Sequence, residues 1–287
     1  MRLLVFGHTG QVASALAERG AARGHTVETL GRDRADLTDP ASCADRVRAA
    51  EADVILNAAA YTNVDGAESD EETALTVNAH APGAMATAAA ARGLPFLHIS
   101  TDYVFDGAEG RPWREDDPTG PISAYGRTKL AGETAVMEAG GPAAILRTAW
   151  VFSATGANFV KTMLRVGRET PSLKVVDDQR GGPTSADDIA DALLAIAEAS
   201  RNGRFVPGIF HFAGAPAVTW ADFAEAIFAD AGLRQTPTVT RITTAEFPRP
   251  APRPQNSVLD CSKIAETYGI AQPDWRAALA RTLESLA

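Results

Sequence analysis

The sequence predicts an α/β protein built on a doubly wound parallel sheet, with a smaller α/β lobe toward its C-terminus. Three observations carry that expectation. Short apolar strand segments alternate with helical segments five times between Arg2 and Thr148, the pattern of βα units that cross over a parallel sheet. The first strand runs directly into the turn Gly7-His8-Thr9-Gly10-Gln11-Val12-Ala13, which opens a helix. Glycines there let backbone N–H groups at a helix N-terminus approach a pyrophosphate. After Phe152 the alternation becomes irregular. The expected division is a Rossmann-type dinucleotide-binding domain over 1–152 and a mostly substrate-binding lobe over 153–287, with some later segments free to return to the first domain.

Composition bounds the function. The 287 residues are 45% hydrophobic, enough for a sizeable core. A net charge of −9 argues against a nucleic-acid surface. An anionic ligand therefore needs local basic groups or helix N-termini. Cys43 and Cys261 cannot make a disulfide framework, which points to a reducing cytoplasm. No export signal and no membrane-length apolar run are expected.

In the strand Arg2 to Phe6 every residue after Arg2 is apolar, as a strand buried on both faces must be. A helix follows from Ser14 to Arg23, and a second strand from Thr26 to Leu30. That strand ends in Gly31-Arg32-Asp33-Arg34, not in the acid that binds a ribose 2′-hydroxyl. Arg32 there suits a 2′-phosphate, favouring NADPH with NADH as the alternative; a solvated loop charge is the competing reading. Asp39 caps a helix that Pro40 opens. Asp53 to Asn57 is the third strand, running into Ala58-Ala59-Ala60, and Ser69 to Ala91 reads as one long helix. Leu94 to Ile99 is the fourth strand. Its carboxyl end, where ligands of such sheets bind, carries Ser100, Thr101 and Asp102. A helix from Ser123 to about Glu138 and a fifth strand, Ala143 to Arg147, complete the first domain.

In the later half, helices are expected over Asn158–Arg168, Ser185–Ala199, Thr219–Ala231, Ser262–Tyr268 and Asp274–Leu286. Strands are expected at Leu173–Val176, Ile209–Phe212 and Thr238–Ile242. A cleft between such lobes is the default ligand site.

The chemistry centres on Tyr125 and Lys129, four residues apart on one helix face. A phenol has a free pKa of about 10, and a neighbouring cation eases loss of its proton. Reducing a carbonyl requires a proton for the developing alkoxide. Tyr125 can supply it, Thr101 can hydrogen-bond the same oxygen, and Lys129 can lower the phenol pKa and hold the nicotinamide ribose.

Eight motifs in order carry a further inference: Phe6-Gly7-x-Thr9-Gly10-Gln11-Val12, Asn57 to Ala60, Ser100 to Gly107, Tyr125-Gly126-x-Thr128-Lys129 to Glu133, Arg147-Thr148-x-Trp150-Val151, Asn158-Phe159-x-Lys161-Thr162-Met163, Asp178-Gln179-x-Gly181-x-Pro183-Thr184, and Arg253-Pro254-x-Asn256-Ser257. Over nearly its whole length the chain resembles the extended short-chain dehydrogenase/reductase superfamily, and within it the dTDP-4-dehydrorhamnose reductase family.

The resemblance implies NADPH- or NADH-dependent reduction of the C4 ketone of dTDP-4-dehydro-6-deoxy-L-mannose, a dTDP-sugar, to dTDP-L-rhamnose. It implies catalysis by Thr101, Tyr125 and Lys129. Gly7, Gly10, Gln11, Val12, Asp36, Leu37, Ala58, Ala59, Ala60 and Ser100 would line the cofactor, with Arg32 at its 2′-phosphate. Asp102 and Trp150 would meet the sugar nucleotide, although Trp150 also suits a core position. Some members pair as homodimers around Mg²⁺ through a Glu just after the glycine turn. Here Ser14-Ala15-Leu16 offers no carboxylate and Asp187 stands alone, so no structural metal is expected and a homodimer is left open. Two alternatives stand: a 4-ketoreductase for another dTDP-6-deoxyhexose, and a non-catalytic NADP-binding regulatory subunit. An epimerase or dehydratase is weaker, because Thr101 is followed by Asp102-Tyr103 and not by an acidic pair.

Overall fold

A computed structural model describes residues 1–286. Its first half runs β1 (Arg2–Phe6), α1 (Gln11–Ala22), β2 (Thr26–Leu30), α2 (Pro40–Ala49), β3 (Val54–Asn57), α3 (Val64–Ala67), α4 (Glu71–Leu75), α5 (Ala81–Ala91), β4 (Phe96–Thr101), α6 (Ala124–Glu138) and β5 (Ala143–Thr148). Asp39 caps α2 as expected, accepting from the Ser42 N–H. Leu3 and Val5 face one apolar layer with α1, while Leu4 and Phe6 face another with Cys43, Val47 and Met85. Alternate side chains of β1 are thus buried on opposite faces, which is why the strand carries no polar alternation.

The remainder runs β6 (Val151–Phe152), α7 (Phe159–Glu169), β7 (Ser172–Val176), β8 (Arg180–Gly181), β9 (Thr184–Ser185), α8 (Ala186–Arg201), β10 (Gly208–His211), β11 (Val218–Thr219), α9 (Trp220–Asp230), β12 (Thr238–Ile242), α10 (Ser262–Tyr268) and α11 (Trp275–Glu284). The main sheet has six parallel strands in the order β2-β1-β3-β4-β5-β10. Strand order reverses about β1 and β3, so their carboxyl ends open the crevice that binds ligands in this architecture. β10, from the second half, pairs with β5 at the sheet edge, and α8 packs on α1. The rest of the later half has its own core around Phe152, Phe223, Ile227 and Trp275.

The long helix expected over 69–91 is broken. α3 is a separate turn capped by Asn63, and a π-helical turn at Thr76–His80 lies between α4 and α5. The π turn carries the buried Asn78, which bonds both the N–H and the C=O of Tyr61 and donates to Thr128. Alanine-rich periodicity conceals such a one-residue insertion. Likewise, β8 and β9 are two-residue pairings inside a stretch that reads as loop.

Candidate active site

The site begins with how α6 is docked. Ser123 caps it, accepting from the Gly126 N–H at 3.2 Å. A side chain at Gly126 would collide with the Tyr103 carbonyl, and one at Gly132 with the Asn78 carbonyl. These glycines let α6 lie directly against β4's exit and the π turn. Tyr125 and Lys129 follow on the side toward β4.

Lys129 is only 2% exposed. Its Nζ donates to the Ile99 carbonyl at 2.7 Å and lies 3.2 Å from His98 Nε2. Burial pulls the Lys129 ammonium down to about 8. Burial, reinforced by Lys129, holds His98 well below its usual range, so the imidazole is neutral at pH 7. The ring is joined at Nδ1 to the Asn57 amide at 3.1 Å. Tyr125 is half-buried and meets Tyr103 edge-on at 5.7 Å. Burial raises its phenol to about 12, against a lowering pull from the Thr101 hydroxyl. The depression expected from Lys129 is therefore not seen: burial dominates, and the Lys129 ammonium is directed to Ile99 and His98.

Thr101 and Thr148 are register partners at the ends of β4 and β5. The Thr101 hydroxyl donates to Asp102 Oδ1 at 2.9 Å and accepts from the Tyr103 N–H at 3.2 Å. Asp102 is 3% exposed, and burial raises its carboxyl to about 6. Ser100 Oγ, Asp102 Oδ2 and Thr148 Oγ1 are buried without a partner. Such atoms are rare in folded proteins, and three at one end of two adjacent strands mark a place for a polar ligand.

The glycine turn fits a dinucleotide. Gly7 has φ +117°, and a Cβ there would press on Ala13 and Ala58. Gly10 precedes α1 without a side-chain cap, leaving the helix N–H groups open to an anion, and a Cβ at Gly10 would meet nothing. The Gln11 Oε1 is already committed, accepting from Ser153 Oγ and Asn158 Nδ2, each at 2.9 Å. Its Nε2 and the backbone N–H groups of Gln11 and Val12 remain as donors for a phosphate. Ala58 N–H donates to the Phe6 carbonyl, closing the β1/β3 ends, and Ala59 and Ala60 continue past them, partly buried. Arg32 is 80% exposed at the side chain and pairs with Asp36 at 3.1 Å. Asp36 also accepts from the Thr38 N–H, which holds its carboxyl below the ordinary value, and Leu37 is buried beside it.

Since all six strands are parallel, the residues picked from the sequence lie along one edge of the sheet. Gly7 to Val12 and Ala58 to Ala60 sit at β1 and β3, Arg32 to Leu37 after β2, and Ser100, Thr101, Asp102 and Trp150 after β4 and β5. Cavities of about 560 and 500 Å³ lie elsewhere, around Lys263 and Cys261. Among the described residues no group of three or more His, Cys, Asp and Glu side chains is placed to hold a metal, and no helix is long and apolar enough to cross a membrane. The sequence reading passed over His98, Asn57, Asn78 and Trp220. For His98 a signal existed: an imidazole inside the otherwise apolar Phe96-Leu97-His98-Ile99 run must find a buried partner.

A Rossmann sheet with Thr101 at the end of β4 and a Tyr-x-x-x-Lys pair at the head of α6 defines a short-chain dehydrogenase/reductase fold of the extended type. The profile of the RmlD substrate binding domain family matches residues 1–287. A dTDP-4-dehydrorhamnose reductase of Sinorhizobium fredii is 46% identical over 290 residues, covering 100% of this chain and 98% of that protein. The crystal structure of a dTDP-4-dehydrorhamnose reductase from Clostridium acetobutylicum superimposes with TM-score 0.93 at 36% identity, covering 100% of this chain and 99% of that one. That of the Bacillus anthracis reductase in complex with NADP gives 0.92 at 31% identity, covering 99% of each. The chain belongs to the dTDP-4-dehydrorhamnose reductase family.

Proposed function

We propose that this protein reduces the C4 ketone of dTDP-4-dehydro-6-deoxy-L-mannose to dTDP-L-rhamnose with NADPH, Tyr125 being the proton donor. One observation carries the reading. The Tyr125 phenol meets the Thr101 hydroxyl at the end of β4, beside three buried polar atoms that lack partners, and Lys129 reaches the Ile99 carbonyl of the same strand.

The open N-terminus of α1 would hold the cofactor's pyrophosphate, Arg32 its 2′-phosphate and Lys129 its ribose. When bound, the reduced nicotinamide supplies the hydride. The protein supplies everything else. A phenol held near 12 is fully protonated at neutral pH, as a donor must be. Its proton leaves only when negative charge has built on the ketone oxygen. Thr101 shares that oxygen. Lys129, held by Ile99 and His98, would supply positive charge one helical turn beyond Tyr125. Asp102 and Trp150 meet the sugar nucleotide. Cys43 and Cys261, free and buried, suit a reducing cytoplasm.

The test is direct. Incubation with NADPH and dTDP-4-dehydrorhamnose should consume cofactor absorbance and yield a 6-deoxyhexose with rhamnose stereochemistry by NMR. No oxidation with NADPH or NADH defeats the reading. A different epimer would assign the protein to another sugar.

A further inference from the structure

Trp150 has a backbone that needs an explanation. Its φ is +48°, and among the described residues it alone of the non-glycine residues has a positive φ. A bulky residue is held there only when its surroundings over-determine it, and such positions concentrate at binding sites. Trp150 follows Thr148, the register partner of Thr101, by two residues.

Three contacts impose the conformation. The Trp150 carbonyl accepts from the Thr184 N–H at 3.2 Å. Gly181 lies against the indole so closely that a Cβ there would sit 2.5 Å from Cε2 and 2.6 Å from Nε1. Trp220, the first residue of α9, stacks face to face on Trp150 with centroids 3.5 Å apart and planes 6° from parallel. Trp220 is itself fixed. Its Nε1 donates to Gln179 Oε1 at 3.2 Å, and Gln179 Nε2 donates to Thr244 Oγ1 at 2.9 Å. Thr244 is gripped by Asp178 through its N–H and its hydroxyl. Phe159 packs on Trp220 at 4.6 Å and continues to Phe223 in the core of the C-terminal lobe. The run from Asp178 to Gly181, which the catalytic chemistry leaves unused, thus ends on one indole plane.

We propose that Trp220 is a specificity-determining positioning residue for the sugar: through its stack on Trp150, locked by Gln179, it sets the position of the indole edge that the pyranose meets. The proposal rests on the reading above that Trp150 meets the sugar nucleotide. An apolar edge suits the C–H groups of a deoxyhexose, and its placement decides which ring face and which C4 geometry can be presented to Tyr125. In this way the C-terminal core reaches the reacting centre without touching it.

The experiment uses the full-length protein and three variants: Trp220→Ala, Trp220→Phe and Gln179→Met. Each is assayed for KM and kcat with the sugar substrate, and titrated calorimetrically with dTDP, with dTDP-L-rhamnose and with NADPH. Trp220→Ala should raise KM for the sugar nucleotide ~5- to 10-fold, the size of a lost aromatic stack. It should also remove the extra affinity of dTDP-L-rhamnose over dTDP, with NADPH binding as in wild type. Trp220→Phe should recover most of the loss. Gln179→Met, which keeps the stack but frees its rotation, should fall between, and it carries the test if Trp220→Ala does not fold. Unchanged KM in an active protein, or an equal weakening of NADPH, overturns the positioning role alone. A wild-type protein that does not turn over dTDP-4-dehydrorhamnose overturns instead the reading on which it rests.

Discussion

At the scale of single residues, Lys129 and Asp102 are both buried ionisable groups whose pKa values move in opposite senses. Lys129 sits near 8 against an ordinary 10.5 because burial disfavours its charge. If the charged form supports Tyr125, kcat/KM for reduction falls as pH rises through about 8, because the proton is lost there. A pH profile of the wild-type enzyme checks this, and a rate level to pH 9.5 would remove Lys129's charge from the account. Asp102 sits near 6 against 3.8. Folding therefore favours the neutral acid, and the stability this confers is complete below about pH 4 and lost as pH rises through 6. At pH 7.5 Asp102→Asn should be more stable than wild type, by on the order of 2 kcal/mol, while its kcat drops. The advantage should vanish below pH 4. Thermal unfolding at the two pH values decides it: an Asn variant no more stable at pH 7.5 shows that the carboxylate is compensated by a partner.

At the scale of elements, the placement of Tyr125 and Lys129 depends on the close docking of α6. Gly126→Ala places a methyl group into the Tyr103 carbonyl, backbone that cannot swing aside. The helix must shift, at a cost of roughly 1–3 kcal/mol, and Tyr125 shifts with it. Tm and kcat should fall together, and a variant with wild-type kcat would show that Tyr125 tolerates displacement. Elements were legible in the sequence where chemistry is local. Asp39 caps its helix as the pattern indicates, because a cap is set by its own few residues. The π turn at Asn78 and the placement of β10 were not, because each depends on partners distant in sequence. Asn78 answers to Tyr61 and Thr128, and β10 to the open edge of β5. The candidate site was legible as a set of residues, since strand ends of a parallel sheet share one edge. Of its supports, Trp220 was not, because stacking leaves no periodic mark; His98 stood out only as a polar residue in an apolar strand, without its partners Asn57 and Lys129 being legible.

At the scale of the whole molecule, a buried ion pair ties the sheet to α6. Arg147 on β5 forms two hydrogen bonds to Glu133 on α6, at 2.9 and 2.7 Å, both residues 2% exposed at the side chain. Arg147 Nη1 also lies 3.3 Å from His211 Nε2 on β10, and His211 Nδ1 lies 3.0 Å from the Trp113 carbonyl. That carbonyl only accepts, so the Nδ1 proton belongs to the Trp113 bond and Nε2 receives from Arg147. Burial, then Arg147, holds His211 near 3, neutral as this arrangement needs. Truncating one partner strands a charge, so Glu133→Ala should destabilise by roughly 3–5 kcal/mol, measurable by urea unfolding; a loss under 1 kcal/mol would mean that water replaces the carboxylate. On the other flank Asp65 binds Arg249 and Arg253, pinning the segment around them to α3. Arg253 begins the last of the eight motifs, which acts here as a fastening.

The central claim is that Tyr125 delivers the proton to the sugar ketone. Tyr125→Phe removes one oxygen and leaves the edge contact with Tyr103 in place. Single-turnover reduction of dTDP-4-dehydrorhamnose by this variant should be slower by ~10²-fold or more, with NADPH and dTDP binding by calorimetry as in wild type. A variant that binds both and reduces at the wild-type rate would contradict the account and place the proton on another group.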